Sequence, residues 1–346
     1  MQFVSDRNII DAWDGDIPRL LDILENGFLQ WRAGEILQPE KNSQILDAAN
    51  QTRVNCMPAT LLSNAVSGVK LVSVFPGNAQ VGKKNVSGAV LLLDATDGSP
   101  RAVMGAALVT ALRTALVSGV AARRLAVSNP KKLAVLGSGE QAKYHAVVLC
   151  ALFPHIQEVA IASRTAAHAE ALASELARAV SVPSVHAAAS YAEAVTGADL
   201  IVTAISAQEP VLKADWIKPG ATYFHVGGYE DEYAVVQKAD KIVCDSWPAL
   251  KHRGSPTLAH MYQDGLLTDS DIYAELADLF ANPLLGRASN DEFIYFNAIG
   301  LGFTDMLIAS ELLRQCEEKQ QVTSLEIGEG DILANAALLE RFAGAQ

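Results

Sequence analysis

From Asn8 to Trp31 the apolar residues Ile9, Ile10, Trp13, Ile17, Leu20, Leu21, Leu24, Phe28 and Trp31 recur at helical spacing, and Pro18 marks the start of a second helix. One such apolar face belongs in a core or a subunit contact. Between about Gln44 and Met104 the texture changes to short β-type runs, Gly68–Val74 and Ser87–Asp94, the latter closed by the turn signal Asp94-Ala-Thr-Asp97-Gly98. They predict an antiparallel sheet. A helix carrying Arg113 follows over Ala106–Leu125, and Ser128-Asn-Pro130-Lys-Lys132 is a turn. Beyond it strands and helices alternate: strand Leu133–Leu136, helix Lys143–Cys150, strand Glu158–Ala162, helix Thr165–Ala179, strand Ser184–His186, helix Tyr191–Val195 and strand Asp199–Thr203. Tyr223–Val226 and Lys241–Asp245 continue the strands, and Asp305–Glu318 is a final helix returning to the first domain. Such alternation is the signature of a parallel, doubly wound sheet.

The first strand of that alternating region breaks into Gly137-Ser138-Gly139-Glu140-Gln141-Ala142 and runs on into a helix. This is the layout of a dinucleotide-binding turn. Gly137 permits the tight turn, Gly139 admits a pyrophosphate close to the backbone, and Ala142 lets the helix pack on the strand. Amide groups at the helix start face the phosphates. Just past the second strand stands Ser163-Arg164-Thr165, where a cofactor with a free ribose hydroxyl would call for an acid. A guanidinium flanked by hydroxyls suits a 2′-phosphate instead, so NADP(H) is the expected cofactor and NAD(H) the second choice. The alternative is an exposed Arg164 with no part in selectivity. Thr203-Ala204-Ile205 and Val226-Gly227-Gly228, at later strand ends, are expected to border the nicotinamide, or to be ordinary strand termini.

Composition narrows the partners. The chain has 346 residues, half of them hydrophobic, enough for two domains with their own cores. Its 27 Lys and Arg against 39 Asp and Glu, a net charge of −12, argue against nucleic acid or an anionic membrane. Cys56, Cys150, Cys244 and Cys316 are far apart, which indicates neither a metal site nor a disulfide framework, and a reducing cytoplasm is the expected location. No signal pattern or membrane-length apolar run is present in the sequence.

Three cations in the N-terminal part are candidates for chemistry: Lys41, Lys70 and Arg113. Lys70 lies inside Val-Ser-Gly-Val-Lys-Leu-Val-Ser-Val, so it either points outward from an edge or sits in a pocket against an anion. A pocketed Lys can exchange a proton with an imine or amine. Arg113 suits a carboxylate, or is a helix-surface residue. Lys251-His252-Arg253 is a basic cluster suited to a second carboxylate, or a solvated turn.

The residues Met57-Pro58, Gly68-Val-Lys70, Gly88-Ala-Val-Leu-Leu-Leu-Asp94, Ala111-Leu-Arg113-Thr114-Ala115, Gly137 to Ala142, Ser163-Arg164-Thr165 and Asn297-Ala-Ile-Gly300 with Asp305 stand in order at matching intervals. Through them the chain, from about Phe3 to Glu318, resembles the ornithine cyclodeaminase/mu-crystallin family of NAD(P)-dependent enzymes. The resemblance implies an α/β protein and a homodimer. Each subunit would pair a Rossmann doubly wound domain, residues 119–302, with a split α+β substrate and dimerisation domain, residues 1–118 and 303–346. It implies that Lys41 and Arg113 hold the substrate α-carboxylate and that Lys70 is the catalytic Lys. Asn55, Met57, Tyr229 and Gly300 are then around the substrate, with Thr114 on the cofactor.

Two departures bear on the branch. True cyclodeaminases carry an Asp directly after the paired small residues of the late strand, where this chain has Tyr229, and an acid upstream of Met-Pro, where it has Asn55. The stretches Ala239–Trp247, Ile272–Leu276 and Gly286–Asn297 are instead similar to the opine-type branch that cleaves N-(2-amino-2-carboxyethyl)glutamate. The expected activity is hydride transfer at the α-carbon of an amino acid, imino acid or N-carboxyalkyl amino acid. Alternatives are redox-neutral cyclodeamination, if an acid from Glu230, Asp231 or Glu232 reaches the site, or a mu-crystallin-like protein that binds NADPH and a small ligand.

Overall fold

The computed structural model describes residues 1–205, 209–327 and 340–341. The rest of the 303–346 segment, residues 328–339 and 342–346, lies outside the described residues. The N-terminal part contains β1 (Gln2–Val4), α1 (Asp6–Ala12), α2 (Ile17–Arg32), β2 (Ile36–Leu37), β3 (Asn42–Asp47), β4 (Thr52–Leu61), β5 (Val66–Val74), β6 (Val86–Asp94), β7 (Pro100–Gly105) and α3 (Ala107–Leu125). Asp16 caps α2 from its side chain and Pro18 stands in its first turn, as the periodicity predicts. The middle of the chain gives β8 (Lys132–Leu136), α4 (Glu140–Leu152), β9 (Glu158–Ala162), α5 (Ala166–Ala179), β10 (Ser184–Ala187), α6 (Tyr191–Val195), β11 (Leu200–Thr203), β12 (Thr222–His225), α7 (Tyr233–Lys238) and β13 (Lys241–Cys244). Then come α8 (Trp247–Lys251), α9 (Thr257–Gln263), β14 (Ala274–Glu275), α10 (Leu276–Ala281), β15 (Ile294–Asn297), α11 (Gly302–Glu318) and β16 (Thr323–Ser324).

Two sheets result. The first has the order β16-β1-β7-β6-β5-β4-β2 with β3 also on β4, and is antiparallel apart from the β1–β7 pair. β5 is therefore central, and its burial alternates so that Val66, Gly68, Lys70 and Val72 face inward. Helix α11 covers that face closely: a Cβ on Gly68 would lie 2.7 Å from Met306 Sδ, and one on Gly302 would lie 2.6 Å from Pro58 O. The second sheet is parallel in the order β10-β9-β8-β11-β12-β15-β13-β14. Its central strands are almost fully buried, as a sheet covered by helices on both faces requires. The chain order reverses between β8 and β11, which opens a crevice at their C-terminal ends. Register aligns Ala162, Leu136, Thr203, His225, Asn297 and Cys244 in one row, so six strands release their loops at the same edge.

Candidate active site

The edge of the parallel sheet carries the dinucleotide features. Gly137 has φ +128°, and a Cβ there would lie 2.4 Å from Ala204 O, so the turn requires glycine both for its backbone angle and for the approach of the neighbouring strand. Gly139 is exposed with open space where a Cβ would stand, and it begins α4 without a side-chain cap. The first amides of α4 are left to a ligand or solvent. Ala142 is fully buried against β8, while Glu140 is exposed near Lys143. Ser138 and Ser163 hydroxyls meet at 3.0 Å across the β8–β9 ends, and Arg164 and Thr165 beside them are exposed. Gln141 donates to Thr110 O at 3.3 Å, and Thr114 donates to the same carbonyl at 2.7 Å. The Gln141 Oε1 and Thr110 Oγ1 atoms are buried without partners, which leaves polar groups beside the turn for a bound molecule.

Across from this edge the chain assembles its cations. Lys70 is fully buried, and its Nζ donates to Asp305 Oδ1 at 2.6 Å; Arg113 Nε donates to the same oxygen at 2.9 Å. Both outward-facing alternatives, an edge Lys and a surface Arg, are thereby excluded. Two cations thus share one carboxylate oxygen in a desolvated place. Burial, reinforced by Arg113 and only partly offset by Asp305, pushes the Lys70 ammonium down to about 8. Gly300, at φ +81°, passes so near the guanidinium that a Cβ would lie 2.7 Å from Arg113 Nη1. Lys41 Nζ reaches Ile299 O at 3.4 Å, beside this turn. Met57 is opposite Lys70 in the β4–β5 ladder, and Asn55 stands two residues along on the same face. The candidates Lys41, Asn55, Met57, Lys70, Arg113 and Gly300 are thus gathered on one side of the inter-sheet region.

Two acids in this cluster had no assigned role in the sequence reading. Asp305 is the counter-charge of Lys70 and Arg113; its signal was an acid in the apolar run Phe303-Thr-Asp305-Met-Leu-Ile. Asp245 accepts from the Ile299 and Gly300 amides at 2.9 and 2.8 Å and so holds the Gly300 turn against Arg113. Burial pushes the Asp245 carboxyl up to about 6, against those hydrogen bonds and the Arg113 charge. An acid directly after an apolar strand was the available clue.

The Glu230–Glu232 run has a different fate from that of a reactive acid. Glu230 is fully buried and accepts from Ile205 N at 2.7 Å, Gly227 N at 2.8 Å and Thr203 Oγ1 at 2.7 Å. It ties the two loops that end β11 and β12. Asp231 accepts from Thr257 at 2.8 Å, Tyr295 at 3.1 Å and Tyr223 at 3.2 Å, and Glu232 accepts from Ala214 N. His225 lies between them, its Nε2 on Gly228 O at 2.6 Å. Burial alone would lower its pKa, but Asp231 and Glu230 outweigh that and raise it. Tyr229 turns toward α7 and α9, with ring contacts to Tyr233 and His260. Val226 is half-buried and Gly227 exposed at the same sheet edge.

The model of the ornithine cyclodeaminase/mu-crystallin family matches residues 15–320. A Delta(1)-pyrroline-2-carboxylate reductase of Bacillus cereus is 32% identical over 278 residues, covering 79% of this chain and 84% of the relative. The N-((2S)-2-amino-2-carboxyethyl)-L-glutamate dehydrogenase of Staphylococcus aureus is 28% identical over 309 residues, 87% of this chain and 89% of its own. Among solved structures, the Delta(1)-pyrroline-2-carboxylate reductase of Thermococcus litoralis in complex with NADH and L-proline superposes with a TM-score of 0.88 at 26% identity, over 94% of this chain and 100% of that one.

Proposed function

The chain belongs to the ornithine cyclodeaminase/mu-crystallin family, and from that premise we propose that it is an NAD(P)-dependent oxidoreductase acting on an amino acid, imino acid or N-carboxyalkyl amino acid. The observation that carries this is the fully buried Lys70 on a central strand, poised between Arg113 and Asp305, where Lys41 brings the cations to three against the two acids Asp305 and Asp245. A carboxylate arriving there neutralises the cluster, held by Arg113 as a fork and by Lys41 from the opposite loop. The Gly300 turn, fastened by Asp245, limits where the carboxylate and α-carbon sit. Lys70 then holds the proton for the substrate nitrogen in reduction, or receives one from the amine or attacking water in oxidation.

The residues at the sheet edge fit a dinucleotide. Gly137, Ser138, Gly139 and the α4 amides would hold the pyrophosphate, Thr114, Glu140 and Gln141 would line it, and Thr203 to Ile205 with Val226 and Gly227 would face the nicotinamide end. Bound there, the cofactor supplies or accepts the hydride. We assign the finer choice to NADP(H), because exposed Arg164 between Ser163 and Thr165 suits a 2′-phosphate. Cyclodeamination is disfavoured because Glu230 and Asp231 are engaged inside the fold and Tyr229 occupies the position of the activating acid.

We further propose the two-part division, residues 1–118 with 303–346 and residues 119–302, and a homodimer. Pro58, Val69, Leu91, Val103 and Phe3 form one apolar row across five strands on the sheet face opposite Lys70. Sheets leave such a row uncovered where a second chain packs. We assign the protein to the cytoplasm, because Cys56, Cys150, Cys244 and Cys316 stand far apart in the sequence and form no paired motif. The test is a screen of purified protein with NADPH and NADH against Δ1-pyrroline-2-carboxylate and mixtures of 2-oxo acids with amines. Stoichiometric cofactor oxidation is expected; its absence with every imine, or recycling of catalytic cofactor on ornithine, overturns the proposal.

A further inference from the structure

Arg253, on the loop after α8, reaches across to the first sheet. Its Nη1 donates to Ser43 Oγ at 3.3 Å, and that hydroxyl donates to Asn55 Oδ1 at 2.8 Å. Ser43 is opposite Asn55 in the β3–β4 ladder, and Asn55 shares the face of Met57 and Lys70. Ser43 is therefore two strands over and two residues along from Lys70, roughly 12 Å between Cα atoms at ordinary sheet spacings.

The three basic residues of the cluster differ in what they meet. Lys251 Nζ is paired with Asp269 at 2.9 and 3.1 Å, and His252 is exposed against the Tyr262 ring. Arg253 is half-buried and, with His252, Lys41, Ser246, Gly300 and the acids Glu40 and Glu275, lines a cleft of about 330 Å³. Among the described residues it forms no ion pair, and Glu40, the acid whose charge it feels, is itself exposed. A partly desolvated guanidinium outside any ion pair among the described residues, beside the amide of Asn55, presents donors to an anion. Because the Asn55 oxygen already accepts from Ser43, its NH2 group is the end left to donate.

We propose that Arg253, Ser43 and Asn55 form a subsite for a second carboxylate, so that the substrate is an amino or imino acid with a distal carboxylate rather than a diamine or an acid with a neutral tail. This rests on the reading of Lys41, Lys70 and Arg113 as the α-carboxylate end of the same site. The specificity residue is Arg253, and Asn55 and Ser43 orient it.

The experiment compares matched ligands on the full-length protein with NAD(P)+ present: L-glutamate against L-norvaline and L-glutamine by calorimetry. Turnover is followed with 2-oxoglutarate against 2-oxopentanoate, each with ammonia and NADPH. Wild type is expected to favour the acid in each set by roughly 10- to 150-fold, the range of a charge-assisted hydrogen bond. In R253M that preference collapses toward unity while norvaline binding is unchanged, and R253K restores part of it. An equal affinity for acid and neutral ligands in wild type overturns the subsite, as does a preference that survives R253M. Loss of norvaline and glutamate binding together would make Arg253 structural, which also overturns it. Absence of hydride transfer alongside an Arg253-dependent binding preference would sink the oxidoreductase reading and leave the subsite standing.

Discussion

Replacing Asp305 by Asn removes the negative charge that Lys70 and Arg113 share, and the consequence is readable as a pH profile. Lys70 is held at about 8 instead of 10.5 because burial and Arg113 disfavour its charge, with Asp305 pulling the other way. The displacement, 10.5 − 8, corresponds at 1.36 kcal/mol per unit to roughly 3 kcal/mol of ammonium destabilisation. Asn still accepts a hydrogen bond but carries no charge, so the added loss is the difference between a charged and a neutral hydrogen bond, roughly 1–2 kcal/mol or about one pKa unit. A proton donor must be protonated to act, so kcat/KM for imine reduction should fall above pH 8 in wild type and above about pH 7 in D305N. Titration of the imine itself cancels in this comparison. A bound carboxylate supplies a further anion, so the limb in kcat should lie above the limb in kcat/KM. Stability follows the same proton: the Lys70 penalty is complete below its folded value and is relieved as pH rises toward the unfolded one, so D305N should be less stable at neutral pH than at pH near 10. Over the two cations that share this oxygen the loss is roughly 2–4 kcal/mol, measurable in urea. A D305N limb that coincides with that of wild type would refute the reasoning, and Lys70 would then not be the group that titrates.

Further outcomes follow from other contacts. Glu230→Ala leaves the Ile205 and Gly227 amides without their acceptor, at about 1–3 kcal/mol each; a lower melting temperature and a raised KM for cofactor are expected, and an unchanged KM would show that the two loops hold themselves. Arg164→Ala should weaken NADPH binding by roughly 1.5–3 kcal/mol and NADH little, checked by fluorescence titration; equal losses would make Arg164 an ordinary surface residue. Ornithine or lysine with catalytic NAD(P)+ should yield no accumulating ammonia and cyclic product, since Tyr229 and Asn55 stand where cyclodeaminases carry acids, and many turnovers per cofactor would contradict this.

Much of the fold was written locally. The helical stripe from Ile9 to Trp31 and the strand–turn–helix at Gly137 depend on residues a few positions apart, which is why α1, α2, β8 and α4 appear close to where the pattern predicts them. Lateral order was not local. β15 pairs between β12 and β13 although it follows β13 in the chain, and no residue in Ile294–Asn297 announces that neighbour.

The site divides the same way. Side-chain chemistry marked Lys70 and Arg113 as cations with a task, but left open whether they faced solvent. The answer came from Asp305, a residue 235 positions away that α11 lays against β5. In the opposite sense, the acids at Glu230 and Asp231 read as candidates for reacting groups, and the fold turned them inward because buried amides and hydroxyls of distant loops needed acceptors. Of three adjacent basic residues, Asp269 engages Lys251, while His252 and Arg253 line the cleft. Sequence determined the periodicities and the chemical repertoire of this chain, because those are properties of a residue and its near neighbours. Tertiary structure decided which charge meets which partner, because a buried group's protonation and role depend on segments that only packing brings within a few ångströms.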